Sequence, residues 1–419
     1  MWPQSPTRYR ARFCVFDLKA FPYSCMKIAL LRNFKNYEVF EEAAKKYRHF
    51  VVAYSGGKDS TAVAILLYKW VEQAKPNIKV TLLYNDTLSE VNALEAWVRY
   101  FTQAYAEKIQ RHVDISIRFV TPEITKTFFW RVFVRGYPAP TFKFRWCVDH
   151  LKLEPMTTEV KKLENAIIVT GQRDEESGAR AASMKKSFGS CAPGTCLGAY
   201  FSLNNEVPKI APIRFWTTQD VWQFLLLHWN EFDITPLIRL YGLDTKTLTA
   251  PGGRFGCWHC TLVKIHSGLF FGDKNYAYVE ALRLIYKALS DLKEMRVPKT
   301  TSGGYSKLGP LTPLARSIIY HLAPIVEEKS EHRFYALDEV RLGEKSMREV
   351  FYEMDAESAD VVIRQYDKTD RWIGMRRLRK IDRELLRQYI DKILERVKAL
   401  DYTTLATRSA EEMLQQLIG

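Results

Sequence analysis

Short apolar runs alternate with longer amphipathic stretches through the first half of the chain. His49–Tyr54, Ile78–Asn85, Asp114–Val120 and Asn165–Thr170 are rich in Val, Ile and aromatic residues and read as strands. Ser60–Ala74, Glu90–Arg111 and His150–Leu163 lie between them and carry apolar residues at helical spacing. Strands that are apolar on both faces, each followed by a helix, predict an α/β fold around a parallel sheet.

The rhythm breaks elsewhere. Cys25–Tyr47 reads as helix within a leader over 1–45. Residues 121–145 are aromatic and basic together, which predicts an insertion over the open strand ends. A loop runs from Gly189 to Val207. Thr218 then reads as the N-cap of a new helix, with Gln219 and Asp220 in its first turn. Pro251–Ser267 is a cysteine-bearing loop, and the turn-rich stretch TTSGGYSKLGPLTP marks a hinge or loop near residue 300. The pattern divides the chain into 1–45, a nucleotide-binding-type domain over 46–240, a cysteine-bearing segment over 241–300, and a basic, mostly helical domain over 301–419.

Composition sharpens this picture. With 419 residues, 47% hydrophobic and 13% aromatic, the chain can bury a sizeable core. The early segment is broken by Arg8, Arg10, Arg12, Asp17, Lys19, Pro22 and Lys27, so neither a signal peptide nor a membrane helix is expected. A cytoplasmic protein without a membrane partner is the expectation. Seven cysteines, an odd number, do not suggest a disulfide framework. The formal charge of +14 favours a polyanionic partner, although small-molecule enzymes can also be basic.

The chemistry begins with SGGKDS, which follows the first strand and opens the next helix. Gly56 and Gly57 let the backbone approach an anion, and the helix start offers N–H groups to it. Ser55 and Ser60 add hydroxyls, and Lys58 adds a compact charge. Asp59 can orient Lys58, hold a backbone N–H or reach a magnesium ion. The spacing is neither G-x-x-x-x-G-K nor G-x-G-x-x-G. Asp86 stands at the end of the second strand, where ligands bind in open α/β sheets. Arg173 and Arg180 can clamp phosphates, and Glu176 can hold an arginine.

SGGKDS resembles the PP-loop of the ATP pyrophosphatase superfamily, whose members bind ATP or a derivative on a HUP-like sheet. The wider pattern resembles its phosphoadenylyl-sulfate reductase branch, through YNDTLSE at 84–90, TGQRDEESGAR at 170–180 and PIRFWTTQDVW at 212–222. The resemblance implies nucleotide binding by Ser55, Gly56, Gly57, Lys58, Asp59, Ser60, Asp86, Gly171, Arg173 and Arg180. It places Lys58, Asp59, Asp86, Arg173 and Glu176 in the catalytic set.

Cys257 and Cys260 form CWHC, which suits metal binding, a redox pair or neither. Cys147, Cys191 and Cys196 are further soft ligands, and spacing alone does not separate zinc from an iron–sulfur cluster. His150 and His259 are spare donors, while Cys14 and Cys25 read as small buried hydrophobes. FRWC at 144–147 with RFGCWHC at 254–260 resembles the DndC-like and SspD-like DNA phosphorothioation proteins. That resemblance covers about 45–270. It implies a [4Fe–4S] cluster on Cys147, Cys257, Cys260 and either Cys196 or Cys191, or a three-cysteine cluster with one open iron. It also implies a cysteine desulfurase as sulfur donor and other phosphorothioation proteins as partners. Assimilatory reductases commonly carry a catalytic cysteine near the C-terminus, whereas no cysteine follows Cys260 here.

Two basic stretches could meet a nucleic acid. Arg131, Arg135, Lys143 and Arg145 are interleaved with aromatics, so cations could take phosphates while rings stack on bases. The same rings could instead be core, with the arginines as their rim. Arg364–Lys380 includes Arg376, Arg377, Arg379 and Lys380 and could track a backbone. DNA and RNA are not distinguished by composition.

The leading expectation is ATP-dependent sulfur transfer to nucleic acid, DNA first, with ATP cleaved to AMP and pyrophosphate, using magnesium and the cluster. Sulfonucleotide reduction by an assimilatory enzyme, tRNA thiolation and a non-catalytic nucleotide- or DNA-binding component of a defence complex are the alternatives.

Overall fold

The computed structural model describes residues 36–176, 178–188, 196–203, 207–250, 256–262, 276–300, 306–334, 360–366 and 372–380. Helix α1 covers 36–46, so the expected leader helix is seen only in that part. Strand β1 (His49–Tyr54) precedes α2 (Lys58–Ala74), β2 (Lys79–Asn85), α3 (Asn92–Ile109) and β3 (Asp114–Val120). A short helix α4 (Trp146–Val148) runs through a π-helical turn (Asp149–Leu153) into α5 (Glu154–Val160), then β4 (Ala166–Val169). There follow α6 (Gly178–Ser187), β5 (Phe201–Ser202), β6 (Lys209–Ile210), α7 (Thr218–Leu227) and α8 (Thr235–Tyr241).

One six-stranded sheet has the order β3-β2-β1-β4-β6-β5, parallel except for β5, which is antiparallel to β6. The α/β expectation holds, with a mixed rather than purely parallel sheet. The strands are apolar on both faces because helices cover both sides: β1, β2 and β4 are almost wholly buried. The chain leaves β1 toward β2 on one side and returns to β4 on the other. A crevice therefore opens beyond the carboxyl ends of β1 and β4, the usual ligand position in such sheets.

Helix α2 fills the centre. Eleven of its residues are buried, from Ser60 through Val71. Thr217, not Thr218, is the N-cap of α7: its hydroxyl accepts from the Asp220 N–H while the Asp220 carboxylate accepts from the Thr217 N–H. The one-residue error has a simple cause, since two adjacent threonines both satisfy the cap chemistry.

Among the described residues the later part of the chain has two long helices, in keeping with the helical expectation. It contains α9 (Tyr276–Asp291) and α10 (Pro313–Ser330), with a hairpin of β7 (Arg296–Thr300) and β8 (Ser306–Leu311) between them. One continuous buried core includes Val39, Phe133, Trp258, Leu282 and Ile319, so the insertion and these helices share packing with the sheet domain. Arg316 of α10 is buried and donates to the carbonyls of Phe133 and Val134. It thereby satisfies the open C-terminal end of the π-helical turn Trp130–Val134. The basic run departs from the helical expectation: β9 (Asp360–Tyr366) and β10 (Trp372–Lys380) pair antiparallel there. The β-branched residues Val361, Val362 and Ile363 favour that outcome. Among the described residues no helix is long and apolar enough to cross a membrane.

Candidate functional site

The turn after β1 is held open by its neighbours. Gly56 has φ +73°, and a Cβ there would lie 2.6 Å from Leu94 Cδ1 and 2.7 Å from Val98 Cγ2. Only glycine tolerates both the backbone conformation and the close approach of α3. Trp97 Nε1 donates to the Gly56 carbonyl at 2.9 Å. The Ser60 hydroxyl accepts from the Ser55 N–H at 3.2 Å and donates to the Gly57 carbonyl at 3.0 Å.

Gly57 is the N-cap of α2 and brings no side chain to the helix start. The Lys58 N–H donates to the hydroxyl of Tyr241, the last residue of α8, at 3.2 Å. Lys58 Nζ sits 5.6 Å from the centre of the same ring. Tyr241 is buried, and burial, followed by the Asp59 charge, raises its pKa above the ordinary phenol range.

The Asp59 carboxylate is shared. Its Oδ2 accepts from Lys58 Nζ at 2.7 Å and its Oδ1 from Arg173 Nε at 2.7 Å. Asp59 therefore orients Lys58, one of the roles its position suggested. Arg173 is buried and also donates to Glu175 Oε2 at 2.9 Å, to the Trp216 carbonyl at 2.9 Å and to Thr218 Oγ1 at 3.2 Å. In this structure the Arg173 donors are directed to protein groups, and the side chain ties the loop after β4 to α2 and α7 at the cavity wall. Gly171 permits that closeness, since a Cβ there would lie 2.8 Å from the Asp59 carbonyl carbon. Glu176 accepts from the Arg173 N–H at 3.3 Å. Arg180 lies on α6, and its side chain falls outside the described residues. Asp86 turns back to accept the Leu88 N–H at 2.8 Å, which makes it a loop-former.

A cavity of about 610 Å³ opens over this turn. Ser55, Gly57, Lys58, Asp59, Ser60 and Tyr241 bound one side, Arg173, Glu175, Glu176 and Thr218 another, and Glu90, Leu94, Lys152 and Gly256 the third. The size lies within the range of small-molecule sites.

The third side leads to the cysteines. The segment before CWHC pairs antiparallel with the loop after β2: the Val91 N–H donates to Gly256 at 3.1 Å and the Trp258 N–H to Ser89 at 2.8 Å. Cys257 is buried, with its Sγ 3.3 Å from Thr87 Oγ1 and 3.7 Å from Glu90 Oε1. Cys147 and Cys260 are close enough for Cys257 to act on both electrostatically. Burial pushes Cys147 up to about 12 and raises Cys260, and the neighbouring thiol charges add to each shift. Lys152 enters from the π-helical turn after Cys147. It is exposed toward the cavity, and the negative charge that Cys257 carries when ionised, ahead of that of Glu90, raises its pKa. Arg283 of α9 donates to the Cys260 carbonyl at 2.9 Å and pairs with buried Glu280.

Sequence reasoning therefore found the glycine turn and the cysteines, and the fold sets Cys257 directly behind the cavity wall, next to Gly256 and against Glu90, which line it. It missed Glu90, Lys152, Glu175, Thr218 and Tyr241 as cavity residues. Glu90 and Glu175 lay inside segments already singled out; Tyr241 and Lys152 carried no local signal.

The thiols are suitable donors in kind for a soft metal or cluster. Their arrangement does not close around one: among the described residues no group of three His, Cys, Asp or Glu side chains is set to hold a metal ion. Free cysteines among those residues are Cys147, Cys257 and Cys260. Cys196 is disulfide-bonded, which corrects its assignment as a thiolate ligand, and Cys191 lies outside the described residues. His259 is buried against Phe128 and Trp146, and burial lowers its pKa to about 3. His150 leans on Glu154.

The proposed nucleic-acid residues separate. Arg131 is buried, 5.3 Å from the centre of the Tyr137 ring, so it is corrected to a core residue along with Phe128, Phe129 and Phe133. Arg135 is half-buried, whereas Lys143 and Arg145 are exposed beside Phe142 and Phe144, which are 77% and 45% exposed. Arg376, Arg377, Arg379 and Lys380 lie on β10, paired with β9. Their side chains fall outside the described residues.

The arrangement defines an α/β protein with a phosphate-loop turn at the switch point of its sheet. The chain belongs to the phosphoadenosine phosphosulfate reductase domain family, which matches residues 49–263. It is 25% identical over 266 residues to an uncharacterized protein of Methanocaldococcus jannaschii, covering 62% of this chain and 44% of that one. A second uncharacterized protein of the same organism is 24% identical over 192 residues, covering 45% and 38%. The chain thus spans less than half the length of these curated relatives. The phosphoadenylyl-sulfate (PAPS) reductase from Candida auris, solved as a phosphate complex, is 14% identical with a TM-score of 0.33. That match covers 58% of this chain and 98% of the other.

Proposed function

We propose that the chain binds an adenine nucleotide in this cavity and carries out sulfur chemistry at its thiol end, with a sulfonucleotide as the substrate. One observation carries the reading: the Ser55–Ser60 turn and the loop leading to Cys257 bound the same cavity. The start of α2, with Lys58, suits the anionic end of the nucleotide. Cys257 and its neighbours Cys147 and Cys260 suit the sulfur. Reduction of adenylyl sulfate to AMP and sulfite takes two electrons, which two of these thiols can supply by ending as a disulfide. Family membership supports the substrate class.

The test is anaerobic incubation with adenylyl sulfate, its 3′-phosphorylated form or ATP, following sulfite, AMP and pyrophosphate. Sulfite and AMP from a sulfonucleotide support the reading. Nucleotide binding without turnover of any of the three leaves a nucleotide-binding module and overturns it.

A second reading is ATP-dependent sulfur transfer to nucleic acid, first DNA, with AMP and pyrophosphate as products. The exposed Phe142, Lys143, Phe144 and Arg145, immediately before Cys147, favour it. A [4Fe–4S] cluster, magnesium, a cysteine desulfurase and other phosphorothioation proteins belong to this reading. Pyrophosphate release from ATP, with labelled sulfur appearing in DNA, decides for it, and label in tRNA alone moves it to tRNA thiolation. Iron and sulfide assay of the anaerobically purified protein tests the cluster independently.

A further inference from the structure

We propose that Glu175 is a built-in anion filling a second anion position of the cavity, so that the chain selects nucleotides charged at the 5′ end and discriminates against those with a 3′-phosphate. This deepens the proposed function and rests on its nucleotide-binding reading.

Three donors converge on one carboxylate oxygen. Glu175 Oε2 accepts from the Thr218 N–H at 2.5 Å, from Thr218 Oγ1 at 3.2 Å and from Arg173 Nη1 at 2.9 Å. A backbone N–H from the first turn of a ten-residue helix, a hydroxyl and a guanidinium are the groups that bind phosphate and sulfate. Here they are fixed in advance. Arg173 is buried and anchored by Asp59 Oδ1 and the Trp216 carbonyl, and Thr218 follows the capped Thr217. Glu175 itself is 49% exposed on the cavity wall. The donors therefore already hold a negative charge, supplied by the chain.

Charge is distributed unevenly around the cavity. Among the described lining residues, Lys58 and Lys152 stand with Asp59 and Glu90 toward the glycine turn and Cys257, while the one cation beside Glu175 and Glu176, Arg173, is already engaged by Glu175 and Asp59. A ligand with one anionic end meets cations at the first position and can present an uncharged sugar at the second. A second phosphate there meets two carboxylates and finds its donors taken. Like charges in a partly enclosed site repel strongly, because water screens them less there than in bulk. In the segment G-x-R-x-x-E-S, Glu175 occupies one of the x positions, so the segment itself does not dictate it.

Calorimetric titration of the full chain with AMP and with adenosine 3′,5′-bisphosphate, at fixed ionic strength, tests this. The wild type is expected to bind AMP at least tenfold more tightly. Glu175→Gln keeps an acceptor near Thr218 and removes the charge; Glu175→Ala vacates the position. Both are expected to bring the two affinities within about threefold or to reverse them, with the bisphosphate gaining more at low salt. Equal wild-type affinities, or a ratio unchanged in E175Q, overturn the proposal. E175Q decides if E175A loses α7 packing, reported by loss of AMP binding as well. Wild-type protein that binds neither compound overturns the nucleotide reading itself, and this proposal with it.

Discussion

Arg173 Nε lies 2.7 Å from Asp59 Oδ1, joining the loop after β4 to the first turn of α2. The same carboxylate holds Lys58 through its other oxygen, so one partly buried ion pair positions the cation that faces the cavity. Glycine at 171 lets the two strand ends come close enough for the pair to form. The site is thus organised from inside the protein before any ligand arrives.

Arg173→Ala is expected to destabilise the fold by about 3–5 kcal/mol, since it leaves the partly buried Asp59 without its guanidinium partner. Arg173→Lys cannot recover four planar hydrogen bonds and is expected to recover under half of the loss. Urea denaturation of the three proteins measures this. An R173K protein as stable as wild type would show that the fork of contacts is dispensable.

Gly171→Ala and Gly178→Ala should separate cleanly. At 171 the new Cβ meets backbone atoms of Asp59 within 2.9 Å, whereas at 178 nothing among the described residues lies within 4 Å. The first is expected to cost about 1–3 kcal/mol as an overpacking strain and to weaken nucleotide binding. The second, in the first turn of a helix, is expected to be neutral or to stabilise by up to about 1 kcal/mol. Melting curves with and without AMP check both; similar behaviour of the two variants would remove the packing argument.

Tyr241→Phe removes the acceptor that satisfies the Lys58 N–H. Without ligand the variant is expected to lose about 1–2 kcal/mol, the cost of leaving a buried donor unpaired. An anion seated on the turn can replace that acceptor. The gap between variant and wild type should therefore narrow when both are saturated with pyrophosphate. A gap that stays constant across pyrophosphate concentration would place the anion away from the start of α2.

Strands β1 and β3 were legible to the residue, β1 from its run of apolar residues and β3 from the alternation of Ile115, Ile117 and Phe119 with polar neighbours. Strands β5 and β6, two residues each, are too short to carry a period, so the antiparallel edge went unread. The glycine turn was legible from local chemistry alone. Tyr241 was not, because it reaches Lys58 from 183 positions away and its neighbours, Leu237, Ile238 and Leu240, describe only an apolar helix. Arg131 misled for a related reason. A buried arginine laid against tyrosine has the same sequence signature as an exposed one awaiting phosphate.

Glu90 gives the site its pH dependence. Its carboxyl is buried, and burial, reinforced by the Cys257 charge, pushes its pKa up to about 8 against an ordinary 4.5. The folded state therefore holds a proton that the unfolded chain releases at lower pH. The stability this proton contributes is complete below about pH 4.5 and declines as pH rises toward 8, with a slope of at most about 1.4 kcal/mol per pH unit. Glu95, pushed up to about 7 chiefly by burial, acts in the same direction. Glu90→Gln keeps the shape and cannot ionise, so its stability should exceed or approach that of wild type increasingly from pH 5.5 to 7.5. Urea midpoints at three pH values measure the difference. Parallel curves for the two proteins would mean that Glu90 is already ionised in the folded state.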